Sequence, residues 1–503
     1  MDSILSFFCF RYKFCHFLSI KLNIPIDQLI LVTTIIMTIP CCFLNYSIKG
    51  KNNRLYYSLI LGFIFHFSIY GINTIHTIIS TITTYLFIHL FGRKASPFYV
   101  VFYTIIHLDI LHIYRMIVNY GGWTVDDAAS IYMVVLCKYT SVAFSYDDGK
   151  KDDKDIISEH HKKYKIVEKP SVLEFCSYIY FYPTTIIGPF IEYKDFINFI
   201  EEKECYSNLK SKFSIIFKKG ITTFSLSWVF MAVYVVLGPI VPMALIGEPE
   251  FPKLYPHLWQ RLIFLYLSGP PVRAKYYSGW LLSYSNVIFC GAAYGEEIKD
   301  GIIKHNFEKG SYGSILFTEF GMNPKLKMVY WNMSIHTWLK YNIYTRLLGT
   351  KGIFNNNKVL DSFITFIFSA LWHGFYQTYF ISFIAVYLFE QCATFLEQLG
   401  FYKFVENKKY LWPLVGFKSA LFIDGIGGIL YILEFEKFKH FHKNLAGFPL
   451  NYMIGIYIIS LVYNLLLKKK KSRKDLSKMK PLNEKNDKKI LENKSTSDKM
   501  KNE

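Results

Sequence analysis

Long apolar blocks separated by short polar stretches dominate the pattern of this chain. A block of about 20 apolar residues is long enough to cross the hydrocarbon core of a bilayer as a helix. The pattern predicts an all-α, polytopic membrane protein with about eleven transmembrane helices. The predicted spans lie near 28–46, 56–72, 74–92, 98–118, 129–145, 172–190, 221–246, 276–295, 357–389, 414–433 and 447–467.

The remaining segments do not fit simple spans. Residues 1–25 and 328–348 are expected to form interfacial or partly buried helices, because charges interrupt their apolar residues. Residues 146–170 balance acidic and basic side chains and predict a solvated loop, while 201–219 is amphipathic and expected at the membrane interface. Residues 297–328 contain several glycines and predict a further loop.

Composition and charge extend this picture to the domain organisation. The chain is 52% hydrophobic, 18% aromatic and only 19% charged, which favours one membrane domain over 1–467. Its net charge of +19 is concentrated partly in 468–503, where fourteen Lys and Arg face six Asp and Glu. This composition predicts a disordered basic tail, and basic residues directly after a last span place that tail in the cytosol. Contact with anionic lipid is therefore expected, and nucleic-acid binding is not.

Cysteines and short motifs exclude several classes of site. The nine cysteines are odd in number and form no CxxC, so neither a disulfide framework nor a zinc site is predicted. Basic residues scattered through the first 25 residues do not fit a cleavable signal peptide. Glu159, His160 and His161 are more readily explained as solvated loop residues than as metal ligands. The chain has no Walker loop, Rossmann fingerprint, HExxH or GxSxG.

His373 is the most informative single residue. It lies in SFITFIFSALWHGFYQTYFISFIAVYLF (362–389), which contains no Asp, Glu, Lys or Arg. An ionisable side chain in the middle of a membrane segment indicates a functional site by default, because placing it there costs free energy. The alternative is a neutral imidazole that is satisfied by a neighbouring carbonyl.

A second unusual segment precedes it, WNMSIHTWLKYNIYTRL (331–347). As one continuous helix, it places a polar stripe within an arc of about 120°. The stripe comprises Asn332, His336, Lys340 and Arg346, with Leu339 and Ile343 interrupting it and Trp331 and Trp338 on a neighbouring face. An interfacial helix with a tryptophan belt and snorkelling basic residues is the alternative interpretation.

Together with SALWHG (369–374), this segment resembles the membrane-bound O-acyltransferase family, whose members carry an Asn in a WN segment and a His in a WHG segment. Three further segments resemble its lysophospholipid acyltransferase branch. These are 120–149 with Asp126, Met133, Lys138, Ala143 and Asp148-Gly149; 180–201 with Gly188 and Pro189; and 275–295 with Tyr276, Trp280 and Asn286. The resemblance covers roughly 80–465 and implies helices around a central catalytic chamber, in the endoplasmic reticulum.

The resemblance implies an acyl-CoA:lysophospholipid O-acyltransferase with His373 as general base and Asn332 as its partner. The residue types suit this chemistry, because a thiolate leaves readily (thiol pKa about 8.5) and the acceptor alcohol needs a base, which typically contributes about 10²–10⁴-fold. Asn332 would orient the acceptor or His373, or donate to the thioester oxygen. His336 is a rival base, although nearby Lys340 and Arg346 suggest a wetter site. Acyl-CoA is expected as a co-substrate, with no cofactor and no metal.

The wider substrate site is predicted from the same segments. Candidate substrate-binding residues are Trp331, Trp372, Tyr344, Arg346, Lys340, Lys275, Tyr276, Trp280, Asn286, Asp126, Gly188 and Pro189. Arg273, Lys275, Lys340 and Arg346 are candidates for the phosphates of coenzyme A, although positive-inside anchors would look the same.

Two alternatives stay open from the sequence. A sterol, diacylglycerol or protein O-acyltransferase of the same family would share the His and Asn. A lipid or ion transporter would also have many spans, but a relay needs several intramembrane ionisable groups. The candidates for such a relay, Asp109, Arg115 and Asp424, are scattered along the chain.

Overall fold

The computed structural model describes residues 2–22, 24–122, 124–321, 323–348 and 357–478. Residues up to Leu450 form one compact unit, which is almost entirely helical. Its first twelve helices are α1 (Asp2–Leu22), α2 (Ile26–Leu44), α3 (Lys51–Tyr70), α4 (Thr74–Leu90), α5 (Gly92–Val118), α6 (Ala128–Asp148), α7 (Glu159–Tyr164), α8 (Val172–Ile179), α9 (Tyr193–Ile200), α10 (Phe213–Leu237), α11 (Phe251–Leu254) and α12 (Leu258–Phe289).

A two-stranded antiparallel hairpin follows α12, with strands β1 (Gly295–Lys299) and β2 (Ile302–Asn306). The later helices of this unit are α13 (Ile315–Phe320), α14 (Pro324–Trp331), α15 (Met333–Leu339), α16 (Thr345–Leu348), α17 (Lys358–His373), α18 (Gln377–Gln398), α19 (Phe401–Glu406), α20 (Trp412–Tyr431) and α21 (Phe435–Asn444). The prediction of a loop over 297–328 is therefore wrong, because the hairpin and α13 lie within it.

The second unit begins at Asn451 and contains most of α22 (Leu450–Lys478). Its apolar part ends at Leu466, but the helix continues through the lysines that follow. Residues 468–478 are thus helical where the composition predicted disorder. Residues 479–503 of the predicted tail lie outside the described residues.

By length and composition, seven helical segments of the described chain could cross a membrane. They are Ile26–Ser47, Lys51–Leu90, Gly92–Val118, Ala128–Asp148, Leu209–Leu237, Gln377–Gln398 and Leu414–Tyr431, of which the second joins α3 and α4 through a short turn. The all-α polytopic class is confirmed, whereas the count of about eleven spans is not.

Three predicted elements differ from the structure for local reasons. The span at 172–190 is wrong, since only α8 forms there before a segment with prolines at 183 and 189, and proline removes a helical donor. The span at 276–295 is the second half of the 32-residue helix α12. The amphipathic segment 201–219 consists of two short 3₁₀ turns followed by the start of α10.

Helix α6 lies at the centre of the first unit. Among the seven segments it has the largest buried share, 72%. Its Lys138 is fully buried, and the ammonium donates to the carbonyls of Tyr178 and Ile179 at 3.0 and 2.9 Å and to Thr184 Oγ1 at 2.9 Å. Those carbonyls are the last two of α8, where the regular helical bonding ends, so Lys138 caps α8 against the central helix.

Candidate active site

His373 is the last residue of α17. The helix ends there because Gly374 adopts φ 123° and ψ −169°, a conformation essentially restricted to glycine. The Gly374 amide donates to the carbonyls of Ala370 and Leu371, both at 3.0 Å, and α18 begins only at Gln377. The single span predicted over 357–389 is therefore wrong. His373 lies at a helix break rather than in mid-helix.

Aromatic rings surround the His373 imidazole. Its centroid lies 4.8 Å from Trp372, 5.6 Å from Tyr379 and 5.0 Å from Phe383. The side chain is half-buried, so its ring remains partly accessible. The carboxyl end of a helix carries partial negative charge, which stabilises an imidazolium formed there when the ring takes up a proton.

Asn332 also lies at a helix break. Its φ of −143° and ψ of 75° separate α14 from α15, and its side-chain oxygen accepts from the Ile335 amide at 3.4 Å. This contact leaves the Nδ2 group as the donor end of the amide. A π-helical turn at Lys340–Tyr344 interrupts the segment again. The prediction of one continuous helix with a polar stripe over 331–347 is therefore wrong.

Two tryptophans bring the two breaks together on α6. The rings of Trp338 and Trp372 lie 6.1 Å apart. The Trp338 indole donates to Thr140 Oγ1 at 3.0 Å, and the Trp372 indole donates to the carbonyl of Met133 at 3.2 Å. Residues 133 and 140 are two turns apart and share one face of α6. The segments that carry Asn332 and His373 are thus packed side by side on the central helix.

An aromatic cluster surrounds Trp331. Trp331 lies 5.8 Å from Tyr276 and 5.0 Å from Trp280, which stacks on Tyr312 at 5.1 Å. Tyr276 is 40% exposed, so it lies at the accessible edge of this cluster. Three predicted substrate-binding residues therefore belong to one wall.

The segment that contains Gly188 and Pro189 supports the candidate site through backbone hydrogen bonds. The next residue, Phe190, donates its amide to Ser334 Oγ at 2.8 Å, and the same hydroxyl donates to the Phe190 carbonyl at 3.2 Å. The Ser283 hydroxyl on α12 donates to the Gly188 carbonyl. This segment thus fixes the start of α15, two residues from Asn332, to α12.

Two predicted coenzyme A contacts are occupied by carboxylates. Arg346 forms a bidentate pair with Asp148, at 2.8 and 2.5 Å. Arg273 donates to both oxygens of Glu319, at 2.8 and 2.7 Å, and to the buried Asp424. Burial by itself would raise the pKa of Glu319, but the bonds from Arg273 lower it. These guanidiniums hold helices together, which corrects their interpretation as open phosphate contacts.

The other predicted residues occupy varied positions. Lys340 is exposed and lies over the Tyr341 ring at 4.9 Å, and Lys275 lies over Tyr234 at 5.8 Å. Tyr344 is half-buried in the π-helical turn, and Asp126 is exposed in the loop before α6. Asn286 donates to the Ile35 carbonyl at 2.9 Å and to Thr38. Asn286 therefore joins α12 to α2, a structural contact that the motif did not predict.

The polar segment 146–170, which contains α7 instead of the predicted continuous loop, packs on the π-helical turn. The ring of His160 stacks on Tyr341 at 3.6 Å and lies 3.1 Å from Glu192, and His161 donates to the Tyr341 carbonyl at 2.8 Å. Burial, followed by the nearby Arg346, lowers the pKa of His161 to about 4. Within the described ranges, no three His, Cys, Asp or Glu residues are grouped to hold a metal ion.

A cavity of about 670 Å³ adjoins the same helix as Asn332. Its wall includes Met333, Ser334 and Thr337 of α15, together with Lys163 and Lys309 and the carboxylates of Glu192 and Asp195. Asp195 lies 3.4 Å from Lys309, and burial raises its pKa. The cavity combines both signs of charge with direct access to the residue after Asn332.

His336, the rival base, lies one turn beyond Asn332 on α15. Burial, with a smaller effect of Lys340, lowers its pKa to about 4, so its imidazole is neutral at physiological pH. Charge state alone therefore does not exclude it. The difference is position, since His373 ends a helix whereas His336 lies within one.

The sequence did not identify the residues behind the His373 turn. His112 and Arg115 of α5 are buried and contact this turn, and Arg115 pairs with Asp127 at 3.3 Å. Arg115 was noted only as a scattered ionisable residue. The i, i+3 spacing of the two residues was the available signal, since it places both on one helix face.

Comparison with known proteins identifies the family of this chain. The family model for the membrane-bound O-acyltransferase family matches residues 126–432, which include both Asn332 and His373. Lysophospholipid acyltransferase of Saccharomyces cerevisiae is 29% identical, with a match that covers 63% of this chain and 53% of that protein.

Two other relatives match over more of their own length. Lysophospholipid acyltransferase 2 of Arabidopsis thaliana is 24% identical over 72% of this chain and 77% of its own. Membrane-bound glycerophospholipid O-acyltransferase 1 of Homo sapiens is 26% identical over 76% of this chain and 78% of its own. The chain thus spans about half of the yeast relative and about three quarters of these two. Because the family model matches more than half of its residues, the chain belongs to the membrane-bound O-acyltransferase family.

Proposed function

We propose that this chain transfers a fatty acyl group from acyl-CoA to the free glycerol hydroxyl of a lysophospholipid. His373 is the general base, and Asn332 orients or polarises the reacting groups. One observation carries the proposal: the two segments that carry these helix breaks, one with an imidazole and one with an amide, are packed side by side through Trp338 and Trp372 on the central helix. Irregular backbone at membrane depth is tolerated where it is buried in protein or lines a cavity.

The reaction balances with these residues alone. The imidazole of His373 takes the proton of the glycerol hydroxyl while its oxygen attacks the thioester carbonyl carbon. The carbon–sulfur bond then breaks, the thiolate of coenzyme A leaves, and the imidazolium returns the proton to it. The products are a diacyl phospholipid and free coenzyme A. The helix end at His373 favours the transient imidazolium.

Asn332 suits the oxygen of the thioester. Its Oδ1 is engaged by the Ile335 amide, so the Nδ2 group is the end that can donate to developing negative charge. Removing one such donor in an acyl-transfer site costs on the order of 10²–10³-fold in kcat. We assign this role to Asn332 rather than proton transfer, because an amide does not titrate.

The donor needs a polar approach and an apolar interior. We propose that coenzyme A approaches through the cavity beside Met333, where the exposed Lys163 is available to its phosphates. The acyl chain then extends among the aromatic residues around Trp331 and Tyr276. Each buried methylene contributes about 0.8 kcal/mol, so such a wall holds long chains tightly.

The test is a lipid panel with labelled oleoyl-CoA in membranes that contain the protein. We expect label in diacyl phospholipid when lysophosphatidylcholine, -ethanolamine, -serine or -inositol is supplied. Label only in cholesterol esters or triacylglycerol would assign another acceptor class. His373→Ala should lower transfer by at least about 10²-fold with the protein still inserted.

His336→Ala is the matched variant for that experiment, because it removes a second buried imidazole near Asn332. We expect a much smaller loss from it than from His373→Ala. The opposite order would transfer the role of base to His336.

Location and orientation belong to the same proposal. We place the chain in the endoplasmic reticulum with its basic C-terminal segment in the cytosol, as the lysines after Leu467 require under the positive-inside rule. A C-terminal tag should then be accessible to protease in sealed microsomes without detergent. A protected tag would reverse the orientation.

A further inference from the structure

The turn that carries His373 is held from behind by α5. His112 is fully buried, and its Nε2 lies 3.0 Å from the carbonyl of Trp372. A carbonyl only accepts, so His112 donates and its Nε2 carries the proton. The Trp372 carbonyl is one of the last four of α17, which have no partner within the helix. His112 therefore satisfies a backbone group that would otherwise be orphaned directly before His373.

Arg115 contacts the other side of the same turn. Its guanidinium lies over the ring of Tyr376 at 5.9 Å, and the Tyr376 hydroxyl accepts from the Gly121 amide at 2.8 Å. One carboxylate pairs with it, Asp127 at 3.3 Å, a longer contact than a charge-assisted hydrogen bond usually shows. Nε and Nη2 of Arg115 form no hydrogen bond within the described parts of the chain.

Gly374 allows both side chains to approach the backbone. A Cβ at this position would lie 3.1 Å from Cγ and Nδ1 of His112 and 3.4 Å from Nη2 of Arg115. His112 and Arg115 are three residues apart on α5, so they present one face to the turn. The residues on both sides of His373, Trp372 and Gly374, thus rest on this face. Buried ionisable side chains in a membrane helix are costly and indicate function.

We propose that His112 and Arg115 are positioning residues that fix the His373 turn and so aim its imidazole at the acceptor hydroxyl. The proposal rests on the role of His373 as general base. Neither residue lies within the matched family segment, which begins at 126. Their effect follows from geometry, because a displacement of about 1 Å at a reacting group can cost on the order of 10²-fold in rate.

Substitution at His112 separates positioning from bulk packing. His112→Leu fills the space but cannot donate to the Trp372 carbonyl, and we expect kcat to fall about tenfold or more with KM for both substrates unchanged. His112→Gln keeps a donor at similar reach and should recover kcat to within about threefold. His107→Gln is the matched control, because His107 lies on the same helix and bonds to Ser80 at 2.9 Å instead. It should leave kcat near that of the unmodified protein.

A double-mutant cycle decides whether the effect passes through His373. If His112 acts by positioning His373, then His112→Leu changes nothing further in the His373→Ala background. The same holds for Arg115→Met, with Arg115→Lys as the variant that keeps the charge. A product of the two single losses, or failure of His112→Gln to recover kcat in a stable protein, would overturn the proposal. If the single variant His373→Ala stays active, the role of His373 as general base is rejected, and this result is distinguishable from a failure of the positioning proposal.

Folding is monitored in the same samples. Thermal unfolding in detergent and membrane yield are compared for each variant. A loss of activity that is explained by lower stability, with kcat of the folded protein unchanged, would also contradict a positioning role. A KM increase without a kcat change would instead place His112 in substrate binding and refute the proposal.

Discussion

Gly374→Ala is the sharpest single perturbation of the candidate site, because it changes one atom next to His373. The native φ of 123° with ψ of −169° lies in a region that only glycine occupies readily. Holding alanine there costs about 1–3 kcal/mol. The new methyl would also lie 3.1 Å from the ring of His112, closer than ordinary van der Waals contact.

The structure has two ways to respond, and they have different consequences. If the turn holds, the free energy of unfolding falls by about 1–3 kcal/mol, which a domain of 5–15 kcal/mol tolerates. If the turn relaxes, His373 moves with it because it is the neighbouring residue. A shift of about 1 Å would then lower acyl transfer by on the order of 10²-fold. We expect relaxation to dominate, since both His112 and the backbone oppose the methyl group.

The assay compares kcat with labelled oleoyl-CoA and thermal stability for Gly374→Ala and a matched control, Gly400→Ala. Gly400 also has a positive φ, 72°, but nothing lies within 4 Å of its Cβ position. The control should lose a little stability and no activity. Normal kcat in Gly374→Ala would show that the turn does not set the position of His373. Equal losses of kcat in both variants would show that backbone strain alone explains the effect.

Two further predictions concern groups outside the reaction itself. Arg273→Met leaves the buried carboxylate of Asp424 without its ion-pair partner, so the free energy of unfolding should fall by about 3–5 kcal/mol. The control is Arg261→Met on the same helix, which loses only a hydrogen bond to a carbonyl and should lower the free energy of unfolding by less. Equal thermal stabilities of the two variants would contradict this prediction. The pKa of His161 is lowered to about 4, so folding favours its neutral form, and this stabilisation is complete above pH 6.5 and is lost as the pH falls towards 4, by at most about 3 kcal/mol. His161→Gln should therefore flatten the stability profile between pH 6.5 and 4, and an unchanged profile would refute the assignment.

The membrane class was predictable because it rests on a local signal, whereas the catalytic roles of His373 and Asn332 stay predictions. Apolar blocks of membrane length fix the helical class whatever their packing. An imidazole in such a block, and a WN segment before it, pointed to His373 and Asn332 without any knowledge of contacts. The roles of Arg273 and Arg346 were not predictable, because their partners Glu319, Asp424 and Asp148 are distant in sequence. The sequence around a charged residue does not show whether a carboxylate on another helix pairs with it.

The helix breaks were missed for a physical reason. Hydropathy averages over a window, so the uncharged run at 362–389 looks like one span although Gly374 divides it. A break frees backbone groups, and lipid offers them no partner, so broken segments must be enclosed by protein or line a cavity. The segments that carry the breaks at Asn332 and Gly374 are packed side by side through Trp338 and Trp372. The glycine and the asparagine thus mark the points where the backbone leaves the helix beside the two catalytic candidates.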